Sequence, residues 1–179
     1  MDLVYALLML RPVDIAVLLK LSLPGAAGLS FQRLASDLHL SSSEVHGSFK
    51  RARLSGLLAH DGAKSVNRSA LLEFLDHGLR YAFPAERGEL TRGVPTAYAA
   101  EPLKSALKES SDDPPVWPFV EGKVRGYSFA PLYKHAATAS LRDPKLYELL
   151  GLADALRDGR IRERKIAMDE LSKRILHHA

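Results

Sequence analysis

The 179-residue chain is 46% hydrophobic and 26% charged, with a formal net charge of +4. That composition excludes a disordered, fibrous or membrane-embedded chain and fits an ordinary globular one. It contains no cysteine, which excludes disulfides, thiol chemistry and Cys-based zinc sites and is compatible with a reducing cytoplasm.

The apolar start, Met1 to Leu10, lacks the basic flank of a signal peptide, and Arg11, Asp14 and Lys20 interrupt the apolar residues beyond it. No run of about 18 uncharged apolar residues exists, so no membrane span is expected. Asp2 to Leu10 reads as a short helix with Leu3, Leu7 and Leu10 on one side, a stripe needing cover from its own domain or a second subunit. Pro12 suits a first helical turn, and Ile15, Leu18, Leu19 and Leu21 form a core-facing stripe. Pro24-Gly25-Ala26-Ala27-Gly28 ends that helix.

The next stretch reads as two helices joined by a tight turn. Phe31, Leu34, Ala35 and Leu38 recur at helical spacing, and Ser30 stands at the N-cap. Leu40 plugs the corner, and Ser41-Ser42-Ser43 offers hydroxyls to cap a second helix over 42–54. That helix is expected to bury Val45, Phe49 or Ser48, Ala52 and Leu54. Ser42, Ser43, His46, Gly47, Lys50, Arg51 and Arg53 lie on its other face. An apolar back with a small, polar and basic front suits a DNA major groove. Beyond it, Leu57 to His60 and Ala63 to Val66 flank Asp61-Gly62, a hairpin signal.

On Leu34-Ala35, Leu38, Leu40-Ser41, Val45, Lys50-Arg51 and Leu54-Ser55-Gly56-Leu57-Leu58, the chain resembles the helix-turn-helix of bacterial winged-helix transcriptional regulators, broadly MarR-like. The resemblance covers Pro12 to Val66 and makes the hairpin a wing. His39 departs from the turn glycine of many such motifs, although histidine enters left-handed backbone more readily than most residues.

Ser69 to Tyr81 reads as an amphipathic helix ended before Pro84, with His77 on its surface. Prolines and glycines from Phe83 to Pro102 suggest loops, with a strand near Thr96 to Ala99. Leu103 to Lys108 is a short helix and Glu109 to Pro115 an acidic loop. Val116 to Val120 and Lys123 to Phe129 suggest a second hairpin whose aromatics cover a core. Asp143-Pro144 caps a helix that Gly159 closes. In the last helix Ile161, Met168, Leu171 and Ile175 form a stripe beside a basic cluster of Arg160, Arg162, Arg164 and Lys165.

No phosphate loop, dinucleotide fingerprint or hydrolase motif is present, and the histidines lack ligand spacing. The expectation is no enzyme, no cofactor and no metal. Tyr98, Tyr127, Tyr133, Arg92 and Arg125 are candidates to line a small-ligand pocket, with structural roles favoured.

The expected fold is mainly α with small β: a winged helix-turn-helix DNA-binding domain over residues 1–82, then a mixed α/β accessory or dimerisation region over 83–179 that ends in two helices. The expected function is sequence-specific binding to double-stranded DNA by a homodimeric, cytoplasmic bacterial transcriptional regulator. Ser42, Ser43, His46 and Lys50 would meet base edges, and Arg51, Arg53, Lys64 and Arg68 would meet phosphates. A small-molecule effector or partner protein is compatible with this reading. The alternative is a winged-helix protein-interaction module, antitoxin-like or adaptor, because fold does not settle function. An unrecognised enzyme within residues 83–179 ranks third.

Overall fold

A computed structural model describes residues 9–59, 64–107 and 113–176. Leu3, Leu7, Asp61 and Gly62 lie outside the described residues. Over the described residues the protein is mainly helical with one small three-stranded sheet.

Helix α1 (Pro12–Ser22) is the centre of the molecule. Its start is fixed by Pro12 and by the Arg11 backbone N–H, which donates to the Asp14 carboxylate at 2.8 Å. The expected stripe is wider than sequence spacing suggests: Ile15, Ala16, Val17, Leu18 and Leu19 are all buried. A helix apolar on every side belongs inside a core. Its charged residues are buried only in pairs. Asp14 meets Arg51, and Lys20 meets Asp37 at 3.1 Å and Asp143 at 2.7 Å.

Helices α2 (Phe31–Leu38) and α3 (Ser42–Leu54) pack on each other, and α3 packs on α1. Ser30 caps α2 by accepting from the Arg33 N–H at 3.1 Å. Ser41 and Glu44 form a reciprocal capping box at the start of α3. Between them His39 takes the left-handed conformation, φ 53° and ψ 38°, and so fills the place of the missing glycine. After α3, Gly56 adopts φ 72°, a conformation glycine reaches without steric cost. Leu58 and Val66 then form an isolated antiparallel bridge, supported by Ala59 N–H donating to Ser65 O at 2.9 Å.

Helix α4 (Arg68–Glu73) runs through a π-helical segment, Phe74–Gly78, into α5 (Leu79–Ala82). The chain then departs from expectation. The region read as loops holds strand β1 (Arg87–Pro95), and Ala97–Ala99 is a 3-10 turn rather than a strand. After α6 (Leu103–Leu107) come β2 (Pro115–Pro118) and β3 (Val124–Phe129). These two are not a hairpin. Both run antiparallel to β1 and pair with each other in parallel, so the three strands close on themselves. Closure this tight needs bare backbone. A Cβ on Gly126 would sit 1.9 Å from the Pro114 carbonyl oxygen.

Helices α7 (Ala136–Ser140), α8 (Pro144–Asp158) and α9 (Ile161–Leu176) complete the chain. Asp143 caps α8 by accepting from the Leu146 N–H at 3.0 Å. One polar cluster ties α8 to the strands. Asp154 accepts from Thr96 Oγ1 at 2.8 Å, Trp117 Nε1 at 2.6 Å and Arg157 Nη1 at 2.7 Å. Burial pushes the Asp154 carboxyl up, against the opposing pull of those three donors. Arg157 also donates to the carbonyls of Phe83, Pro84 and Ala130. Residues on both sides of position 82 contribute to one continuous core, with α1 packed on α8 and α4 on α9. Among the described residues no helix is long and apolar enough to cross a membrane.

Candidate nucleic-acid interface

The outward face of α3 carries Ser42, Ser43, His46 and Lys50, all exposed. Two forces shape this face. The capping box fixes the first turn: Ser41 N–H donates to the Glu44 carboxylate at 2.9 Å, and the Ser41 hydroxyl at 2.8 Å. Those hydrogen bonds, the backbone one foremost, hold the Glu44 carboxyl below its ordinary range. Further along, the His46 ring stacks on Phe31 with centroids 4.0 Å apart, and Phe31 meets Phe49 edge-on at 4.8 Å. Beside this aromatic column a cleft of about 370 Å³ is lined by Phe31, His46, Phe49, Lys50, Arg53, Leu54 and Lys64.

Two of the expected phosphate contacts, Arg51 and Arg68, have other work. Arg51 is not on the outward face; it is buried, with Nη2 2.6 Å from Asp14 Oδ1 and Nε 2.8 Å from Asp14 Oδ2. The reason is positional. Arg51 lies on the flank of α3 that crosses α1, where Asp14 needs a counter-charge. Arg68 is partly buried and donates to the carbonyls of Ser22 at 3.2 Å and of Ile175, linking α1 and α9. Lys64 donates to the Leu29 carbonyl and lies 5.0 Å above the Phe31 ring, so its ammonium stays at the cleft edge. Arg53 is half-buried, and its Nε has no hydrogen-bond partner among the described residues. Leu54, expected inside, is 61% exposed.

The five residues considered for a ligand pocket are not brought together. Tyr133 is buried, Tyr98 packs at the core margin, and Tyr127, Arg92 and Arg125 stand on the exposed β1–β3 ribbon. Two further clefts exist, one around Lys20, Asp37 and Asp143, the other around Glu44, Tyr133 and His135. In the first, the Lys20 ammonium is drawn down by burial, but hydrogen bonds to Asp143 and Asp37 outweigh this and raise its pKa. In the second, burial foremost and then Lys134 and His39 lower the His135 pKa. Among the described residues no group of three or more His, Asp or Glu side chains is placed to hold a metal.

Sequence reasoning missed the Phe31–His46 stack, which joins two helices across the turn. The two residues sit on different helices with a turn between them, so periodicity within either helix does not mark the contact. Comparison with protein-family models, characterised proteins and solved structures finds no match.

Proposed function

We propose that the protein is a winged helix-turn-helix DNA-binding protein of the MarR-like kind, a transcriptional regulator that lays α3 in the major groove. The single observation that carries this reading is the outward face of α3: small hydroxyls at Ser42 and Ser43, an anchored His46 and an exposed Lys50. A helix with so few bulky side chains at its N-terminal end approaches base edges closely. Arg53 and Lys64 flank it for phosphates, while Arg51 and Arg68 serve the fold. The bridge at Leu58 and Val66 supplies the base of a wing. One such helix contacts little DNA, so the reading includes a homodimer on two half-sites.

Selection of sites from a randomised duplex library, followed by titration at several salt concentrations, tests this. The expected result is one enriched motif, bound far more tightly than unrelated duplex, with affinity falling steeply as salt rises. No enrichment, with equal binding to all duplexes, overturns it.

A second reading has one observation of its own. Leu54 stands exposed beside the aromatic cleft at the C-terminal end of α3. An apolar side chain there suits a partner protein, so an antitoxin-like or adaptor role is the competing proposal.

A further inference from the structure

The outer face of the β1–β3 ribbon has an unusual pairing. Arg92 lies directly opposite Arg125, and two residues along the ladder Leu90 lies directly opposite Tyr127. Like charges facing each other across an antiparallel pair are destabilising. Natural relief would be a carboxylate, yet neither guanidinium has an ion-pair partner among the described residues. Lys123, exposed and just before β3 begins, adds a third positive charge near Arg125 in the chain. The apolar pair is no more hidden: Leu90 is 39% and Tyr127 45% exposed. Behind the ribbon the sheet is closed, with the Pro114 carbonyl filling the space a Cβ at Gly126 would need. The face is therefore firm as well as uncovered.

We propose that this ribbon is a binding surface for single-stranded nucleic acid. Tyr127, beside Leu90, offers a platform on which an unpaired base stacks. Arg92, Arg125 and Lys123 meet the phosphates on either side of it. Stacking of this kind needs a base released from its duplex, and is tolerant of sequence because every base has a π-face. The opposed arginines then have a physical reason. The charge repulsion that the fold bears alone is neutralised when a phosphodiester strand lies between them. All five residues lie outside α3, so the inference stands apart from the duplex-binding reading.

The test uses the full-length protein and fluorescence anisotropy with labelled oligothymidylate, oligouridylate and a mixed-sequence duplex. Single strands should bind with a steep salt dependence, and the two oligonucleotides show whether the natural strand is DNA or RNA. Tyr127→Ala should weaken single-strand binding about fivefold or more, while its duplex binding stays unchanged. Arg92→Glu should weaken it about tenfold or more and flatten the salt slope. By placing opposite charges across the ladder, the same substitution should raise the melting temperature by about 1–4 °C, which also shows that the protein is folded. Lys50→Ala should leave single-strand binding intact. The proposal is overturned if neither oligonucleotide binds, if Tyr127→Ala and Arg92→Glu bind as the parent does, or if polyglutamate competes as well as unlabelled oligonucleotide. A lowered melting temperature in Arg92→Glu would overturn its premise, that the opposed arginines burden the fold.

Discussion

Arg51 and Asp14, 37 residues apart in the chain, form a two-point ion pair inside the protein that joins α3 to α1. Asp14 is fully buried and also accepts from the Arg11 N–H. A buried pair of this kind adds little net stability over a well-packed apolar pair, but losing one partner strands the other charge in the core. Arg51→Ala should therefore cost about 3–5 kcal/mol. Urea denaturation followed by circular dichroism reads this directly. The double substitution Asp14→Leu with Arg51→Met should recover most of the loss. An Arg51→Ala protein as stable as the parent would return Arg51 to the surface and to the phosphate role.

Lys50 is the neighbouring case with the opposite outcome. It is exposed on the outward face, so Lys50→Ala should leave the urea midpoint unchanged within error. On the proposed reading it should weaken binding to the selected duplex by roughly 1–3 kcal/mol. Leu54→Ser separates the two functional readings. It should leave duplex binding nearly intact if α3 reads DNA, and abolish partner capture if α3 holds a protein.

The contrast between these residues shows what was legible in the chain. The turn between α2 and α3 was, because its determinants are local: Ser30, His39, Ser41 and Glu44 each act within four residues of their own position. That Arg51 turns inward while Lys50 stays out depends on Asp14, and no local pattern carries that information. Strand β1 failed for a different reason. Gly88, Gly93 and Pro95 read as chain breakers, yet close backbone approach in a closed three-strand sheet demands glycine, as the 2.0 Å from a Cβ on Gly93 to the Trp117 carbonyl oxygen shows. The opposed Arg92 and Arg125 were visible as residues, but their register was not.

The capping box makes a pH prediction. Hydrogen bonds from Ser41 lower the folded-state pKa of Glu44 below its ordinary value. A depressed carboxylate contributes stability that is present above the unfolded-state pKa and lost as pH falls through the folded one. Ser41→Ala should thus cost about 0.5–2 kcal/mol near neutral pH. The gap between variant and parent should narrow as pH drops below the ordinary glutamate range. Thermal melts of both proteins across acidic pH check this, and a gap that widens in acid would show that Glu44 is not held by the cap.

Thr96 reports on the link between α8 and the strands. Its hydroxyl and the Trp117 indole share one oxygen of the buried Asp154. Thr96→Val keeps the shape and removes one hydrogen bond to a charged group, a loss of about 1.5–3 kcal/mol. Trp117 is the protein's one tryptophan and is buried. Its fluorescence therefore follows this region alone. The expected result is an earlier red shift of emission during urea unfolding in Thr96→Val than in the parent.

The C-terminal helix separates folding from assembly. Its stripe suggests a dimer interface on sequence grounds, but Ala167, Leu171 and Ile175 are fully buried within their own chain. They pack where α9 meets α8, α6 and α4. Met168 is half-buried, and Ile161, at 79% exposure, stands clear of the core, as does Leu176 at the far end of the helix. Removing the helix should therefore not yield a tidy monomer; it should uncover the core and leave a protein that melts without a sharp transition. Leu171→Ala should cost about 2–5 kcal/mol, the usual result of a cavity at a fully buried leucine. Ile161→Ser should cost almost nothing, because that side chain is already in water. Sedimentation of the two variants beside the parent then isolates the interface. If Ile161→Ser alone dissociates a dimer, α9 contributes to assembly through its first turn. If both variants sediment as the parent does, any dimer is formed by another surface. A Leu171→Ala protein of unchanged stability would contradict the packing of α9 itself.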